Sequence, residues 1–404
     1  MTYKVISASR GPGNGSKKNW RIFERSKLEE YFGKIIDVPC DDGFSVLRAY
    51  KENRDSLEYI RWYPDSELTN RLEYDGMLKQ NEKINNLKFL TNSANGFINV
   101  QNKEKAFKIW KENGINCPNF FSFESKKEFY ENLVKSKIKF PFLLRLNNSV
   151  SGFHSYLIGS RRKKLVKFEE IKENYVSLKK GEISLGNFFR NLIMESIVVS
   201  GYNQLEHYLD KLDKFHQIFK EENRGIEPKK MCVELIDTID KERNVNVSFR
   251  IHVSGSKVIS GYARTSSPED WVAIMGKFNP KKAESWLYYN KLCERICVEN
   301  EKEICKAVHL LGLNHQGLDI VLDQKNNKLC FLEVQPTYAA GYSNNGYGNY
   351  SPPFYNPSFP QLVKFLLDEK ETLEPQIPRY YQNWLDKENH FDLVYKNLKE
   401  YLED

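Results

Sequence analysis

Asp319, Glu333 and Gln335 are three oxygen-bearing side chains in a stretch that is otherwise apolar. Two apolar segments, 317–322 and 328–334, flank the polar turn Asp323-Gln324-Lys325-Asn326-Asn327. That is the pattern of a β-hairpin. In an alternating strand Glu333 and Gln335 share one face, and Asp319 on the partner strand can lie beside them. Such a cluster suits Mg²⁺, which takes one or two carboxylates and leaves its other positions to water and phosphate. The alternative is a solvated hairpin face with incidental acids, but an acid inside an apolar run needs a partner.

A second chemical feature lies upstream. The segment 140–146 is an apolar strand with one cation, Arg145, and it opens into the Asn/Ser/Gly loop 147–154. A buried arginine without an anion is costly, so Arg145 implies a ligand or an acidic partner. Its planar fork can clamp phosphate oxygens in pairs. The loop around Ser151 and Gly152 has small side chains, and its backbone N–H groups can close over an anion. A second hairpin, 246–253 with 257–264 around Ser254-Gly255-Ser256, carries Arg250 and ends in Arg264.

Together these residues resemble the ATP-grasp superfamily, whose metal-binding end is usually a Gly-x-Asp strand followed by Glu-x-Asn-Pro. Here it reads Gly317-Leu318-Asp319 and Glu333-Val334-Gln335-Pro336, with the amide of Gln335 one methylene farther out than the usual asparagine. The resemblance spans residues 97–345. It implies that Asp319, Glu333 and Gln335 hold Mg²⁺ and that Lys103 or Lys105, at the start of a helix followed by Gly114-Ile115 and Pro118, contacts phosphate. It implies that Arg145 stands where the family has a lysine, and that Ser151 and Gly152 cover the phosphates. Glu234, Leu235, Ile236 and Asp237 match the hinge that pairs with adenine, with Asp237, Asp240 and Glu242 as alternatives for the ribose. Arg250 and Arg264 match arginines that stabilise charge on a transferring phosphoryl group. The activity implied is ATP-dependent joining of a carboxylate, activated as an acylphosphate, to an amine or thiol. The substrates would be small-molecule or peptide carboxylates and amines. Two other readings stay open: a kinase of the same superfamily, and a nucleotide-binding module without catalysis, for which Arg145 and Gln335 are the relevant departures.

These residues need a scaffold. The resemblance implies α/β and α+β architecture: an N-terminal α/β lobe over 1–96, two α+β lobes over 97–230 and 231–370, and a helical tail over 371–404. Strands are expected at 4–9, 35–39 and 87–90. The glycine- and lysine-rich loop 11–18 lacks the spacing of a P-loop, and is either a mobile connection or an anion loop. A helix is expected from 102 to 113, stopped by Gly114 and a later proline. Residues 160–230 look like an insertion or a lobe extension, with helical stretches such as 204–220. A helical region at 280–312 would place Leu287, Leu292, Ile296, Ile304 and Leu311 in the core. The Gly/Asn/Tyr-rich segment 337–350 is too irregular for a strand, and leaves the metal hairpin directly. It is either disordered or one wall of an acceptor pocket. A last amphipathic helix is expected near 391–402.

The composition sets limits. The chain has 404 residues, 40% of them hydrophobic and 13% aromatic, which supports a folded protein with more than one core. The net charge of +7, from 61 basic and 54 acidic residues, is mild; it favours anionic ligands without requiring nucleic acid. The basic run Arg161-Arg162-Lys163-Lys164 reads as a solvated turn, since no aromatic platform accompanies it. No apolar run approaches the roughly 20 residues that span a bilayer, and no signal-peptide pattern opens the sequence, so a cytoplasmic location is the expectation. Seven scattered cysteines read as reduced, structural thiols.

Overall fold

The structure is a computed structural model that describes residues 2–9, 18–39, 44–63, 84, 86–90, 93–148, 155–159, 196–221, 226–266, 283–335 and 378–404. Three sheets organise these residues. The first is parallel, in the order β2-β1-β3-β4, from β1 (Val5–Ser9), β2 (Ile35–Pro39), β3 (Tyr59–Tyr63) and β4 (Lys88–Phe89). Helices α1 (Lys18–Phe32) and α2 (Phe44–Asn53) make the crossovers that parallel strands require. The expected strands at 4–9, 35–39 and 87–90 are present. β3 is an addition, hidden in the sequence by Arg61, a charge at the centre of a buried strand. Arg61 is tolerated there because its guanidinium meets Glu24 of α1, also buried, in an ion pair.

Two helices lead out of this lobe. Ser93 caps α3 (Ala94–Gln101), its hydroxyl accepting from the Gly96 N–H at 2.9 Å. Asn102 caps α4 (Lys103–Glu112), accepting from the Lys105 N–H at 3.2 Å. Gly114, at φ +76°, turns the chain out of the helix as its sequence predicts.

The second sheet is antiparallel, in the order β5-β8-β6-β7, from β5 (Phe120–Phe123), β6 (Phe142–Leu146), β7 (Ser155–Ile158) and β8 (Lys230–Glu234). Phe142, Leu144 and Leu146 alternate onto one face, where they pack with Phe129 and Leu133 of α5 (Lys126–Lys135) and Leu205, Leu209 and Leu212 of α6 (Ser196–Glu221). The segment expected to be an insertion or a lobe extension therefore supplies, through α6, part of the core of this lobe. Leu143 and Arg145 are left on the opposite face.

The third sheet runs β11-β10-β12-β13, with β9 (Ile239–Asp240) at the end of β10. It is built from the two expected hairpins, β10 (Val245–Ser254) with β11 (Lys257–Ser266) and β12 (His315–Asp323) with β13 (Lys328–Gln335). Helices α7 (Ala283–Glu299) and α8 (Glu301–His309) cover one face. Ala106, Phe107 and Trp110 of α4 join the same core, where the Trp110 indole donates to the Ala307 carbonyl at 2.8 Å. Cys293 and Cys297 sit against Gly261 of β11, whose missing Cβ leaves room for both sulfurs. The six described cysteines are buried, unbridged thiols.

The chain ends in α9 (Arg379–Leu385) and α10 (Lys387–Glu403). Phe391, Val394, Tyr395 and Leu398 of α10 share one core with Val5, Leu28, Phe32 and Ile35 of the first lobe and Ile259 of β11. The Tyr395 hydroxyl donates to Glu24 at 2.8 Å, and the Ser254 hydroxyl donates to the Val394 carbonyl at 2.7 Å. Gly255 makes the close contact possible: it sits at φ +55°, and a Cβ there would lie 2.5 Å from the Asn397 carbonyl oxygen. The last helix is thus a strut between the first and third sheets.

Where it meets the third sheet lie three buried histidines, His390 of α10, His252 of β10 and His315 of β12. His252 Nδ1 is 2.7 Å from the Ser260 hydroxyl, which is 3.3 Å from His390 Nδ1; His315 Nδ1 is 3.1 Å from the Val253 carbonyl. Burial pushes all three below the ordinary histidine range, His315 and His390 to about 3; nearby positive charge adds to it, Arg61 for His315, His315 for His390, and His390 and Arg250 for His252. The folded state keeps them neutral, so the unfolded chain takes up protons first as pH falls. Their contribution is fully present above pH ~6.5 and is lost below it, by about 1.4 kcal/mol for each of His315 and His390 by pH 5.5. Urea midpoints at pH 7.5 and 5.5 measure this; equal midpoints would contradict it.

Candidate nucleotide-binding cleft

The second and third sheets face each other across a cleft. Strand register explains which side chains enter it. On the third sheet Asp319 pairs directly with Glu333 on one side and with Arg250 on the other, and Ser248 pairs with Arg264. Cross-strand partners share a face, as do residues two apart on one strand. One sheet face therefore presents Ser248, Arg250, Arg264, Asp319 and Glu333. Gln335 pairs with Gly317 at the end of the same face. Between Asp319 and Ile320 the register shifts, so that Leu332 has no partner on β12. Such a bulge re-aims side chains, and both Leu332 and Glu333 line the cleft.

The opposite wall comes from the second sheet. Leu143 pairs with Val233, and Arg145 pairs with Ser155; all four line the cleft. With Leu235, Ile236, Val247, Val321 and Leu332 they enclose about 180 Å³. One end is apolar and slot-like. The other end is charged.

At the charged end, four cations surround two carboxylates. The Arg250 guanidinium grips Asp319 through two nitrogens, Nη2 at 2.9 Å and Nε closer still. Arg264 Nη2 adds a third contact at 2.8 Å. Burial alone would raise the Asp319 carboxyl, but the two arginines reverse this and hold it below its usual range. Lys103, only 3% exposed at the first turn of α4, reaches Glu333 at 3.0 Å. Burial lowers the Arg145 guanidinium pKa, and the Glu333 carboxylate opposes that shift. Arg264 Nε is buried with no hydrogen-bond acceptor. An N–H donor in that state is costly, and an anion entering the cleft would complete it.

The two candidate lysines are separated by the fold. Lys103 is in the site, whereas Lys105 is exposed on α4 with its backbone N–H in the cap. At the hinge, Leu235 and Ile236 line the slot. The Glu234 carboxylate accepts from the Asn119 backbone at 3.1 Å and from its side chain at 2.7 Å, fastening β8 to the segment after Pro118. The three acids considered for ribose are not brought to the cleft lining. Asp237 accepts from the Ile239 N–H at 3.3 Å in a local turn. Asp240 is taken up by the Tyr289 hydroxyl at 2.7 Å and by Arg243 at 3.1 Å. Glu242 is exposed. Ser151 and Gly152, with their loop 149–154, lie outside the described residues, as do 10–17, the basic run 161–164 and the segment 336–350. Ser155, Thr238, Ser248 and Leu332 line the cleft without having been singled out from sequence. Ser155 and Ser248 follow from pairing with Arg145 and Arg264, but register is not written in the residues themselves.

Among the described residues no three His, Cys, Asp or Glu side chains gather as a metal cage. Two carboxylates and an amide on adjacent strands are instead the partial set that Mg²⁺ takes when phosphates and water complete it.

Among solved structures, the chain is similar to D-alanine–D-alanine ligase from Bacillus anthracis, at 9% identity and a TM-score of 0.43, covering 93% of this chain and 99% of that one. The same enzyme complexed with ATP aligns at 10% identity and a TM-score of 0.42, over 93% and 97% of the two chains. N5-carboxyaminoimidazole ribonucleotide synthetase from Thermotoga maritima aligns at 10% identity and 0.41, over 82% of this chain and 68% of that one. No family model and no curated protein matches the sequence.

Proposed function

We propose that the protein is an ATP-dependent ligase of the ATP-grasp type that activates a carboxylate and joins it to an amine. The observation that carries this reading is the convergence of Lys103, Arg145, Arg250 and Arg264 on Asp319 and Glu333 beside a largely apolar cleft lining. A cleft with that excess of buried cations is built for a polyanion attached to a flat apolar group. A nucleoside triphosphate has both parts.

The residues divide the work. The slot between Leu143 and Val233 above and Val321 and Leu332 below takes the base, with the backbone of Leu235 and Ile236 available for its hydrogen bonds. Arg145 and Lys103 grip phosphate oxygens. Arg264, through its unpartnered Nε, and Arg250 stabilise charge that builds on the phosphoryl group as it moves to the carboxylate. Asp319, Glu333 and Gln335 would hold a Mg²⁺ that polarises phosphoryl oxygens. The acylphosphate so formed is attacked by the amine, and phosphate leaves.

The test is ADP release with pooled carboxylates, with and without pooled amines. Release that needs both pools supports the ligase, and a stable phosphorylated product without amine dependence supports a kinase. The lysines give a sharper check. Lys103→Met is expected to raise the KM for ATP by about tenfold or more, the worth of one charge-assisted contact. Lys105→Met should leave it within about twofold.

A further inference from the structure

Asn147 follows β6 directly and is fully buried. Its polar groups all have partners. The backbone N–H donates to the Lys229 carbonyl at 2.9 Å, and its own carbonyl accepts from the Lys103 N–H at 2.9 Å. The side-chain Nδ2 donates to Asn102 Oδ1 at 3.2 Å and to the Glu227 carbonyl at 3.1 Å, while Oδ1 accepts from the Lys229 N–H at 2.9 Å. Three chain segments meet on this one residue: the end of the Arg145 strand, the first turn of the Lys103 helix, and the approach to β8. Asn102, which it holds, is also the residue that caps α4.

The consequence is geometric. Arg145 is two residues before Asn147 on β6, and Lys103 is bonded to it through the backbone. The Lys103 side chain reaches Glu333 on the third sheet, and the apolar face of α4 packs in the core that the third sheet shares with Met231 and Val233 of the second. Asn147 therefore fixes the spacing between a cation on one wall of the cleft and a cation that belongs to the other. We infer that Asn147 is a positioning residue, which sets Lys103 and Arg145 as a single phosphate-gripping pair; this rests on the nucleotide reading above. It is not among the residues that line the cleft. It acts through the helix start and the strand end.

A role in positioning differs from a role in folding by what it does to two ligands. ATP uses the slot and the cations, and adenosine uses the slot alone. Displacement of a fluorescent ATP analogue by each gives both affinities. Asn147→Ala is expected to weaken ATP at least tenfold and to leave adenosine within twofold. Leu133→Ala, which removes core from the same lobe away from the cleft, should lower the melting temperature without changing the ratio of the two affinities. Equal losses for ATP and adenosine in Asn147→Ala, or no loss for either, would overturn the inference. If that variant does not fold, Asn102→Ala tests the same link, because it removes the acceptor of the Asn147 amide. Asn102→Asp keeps an acceptor for both Asn147 Nδ2 and the Lys105 N–H and should restore the preference for ATP. The same preference in Asn102→Ala as in Asn102→Asp would count against the link. A wild-type protein that binds neither ligand overturns the nucleotide reading, and the inference with it. A wild-type protein that prefers ATP, beside variants that keep that preference, overturns the inference alone.

Discussion

Replacing Glu333 with glutamine is expected to lower Mg²⁺-dependent ADP release by about a thousandfold, the scale on which deleting one transition-state contact acts. The melting temperature should stay within a few degrees of wild type. The asymmetry follows from the position of the side chain. Glu333 is 22% exposed at the cleft edge of β13, and its contact with Lys103, at 3.0 Å, can be kept in part by the amide oxygen of glutamine. Volume and register are unchanged. What is lost is one of the two negative charges opposite four cations. A steady-state assay beside a thermal melt reads both quantities. Unchanged turnover in this variant would contradict the site assignment.

Asp319→Ala should behave in the opposite way and damage the fold itself. Asp319 is 8% exposed and is held by Arg250 and Arg264 at once. Its removal leaves two buried guanidinium groups without their carboxylate, a loss of about 3–5 kcal/mol. The sign with pH is fixed by the depressed carboxyl: the stabilisation is present above the ordinary aspartate range and disappears as pH falls through the folded-state value. Urea denaturation at neutral pH measures the loss, and a change below about 1 kcal/mol would show that the arginines do not depend on Asp319. The two carboxylates are direct cross-strand neighbours, so the contrast between them tests burial and partners, not location.

Much of this cleft was legible in the chain, and the physical reason is alternation. A charged residue inside an apolar strand marks a face. Arg145, Arg250, Asp319 and Glu333 are all of this kind; three of them line one cleft, and Arg250 pairs with Asp319 there. Turn chemistry marked both hairpins, at Ser254-Gly255-Ser256 and at 323–327, and the Asn102 cap and Gly114 marked α4. What the chain did not disclose depends on contacts between distant segments. Lys103 and Lys105 are equivalent lysines until α4 packs its apolar side on the third sheet, which buries one and exposes the other. Asp237 and Asp240 look like ligands until local turns and Tyr289 take them up. Arg61 hides β3 because its partner, Glu24, is on another element. The strut α10 gave no chemical signal, since its role lies in which cores it joins.

The central claim is that the two facing sheets bind a nucleoside triphosphate through these cations, with Mg²⁺ against Asp319 and Glu333. Calorimetric titration of the wild-type protein with ATP, with Mg²⁺ present and then with it chelated, tests this most directly. A single site per chain that weakens at least tenfold on chelation, and that is lost when Arg145 and Arg264 are both replaced by alanine, is the predicted result. ATP binding that ignores both Mg²⁺ and the double replacement, or no binding of ATP at all, would contradict it.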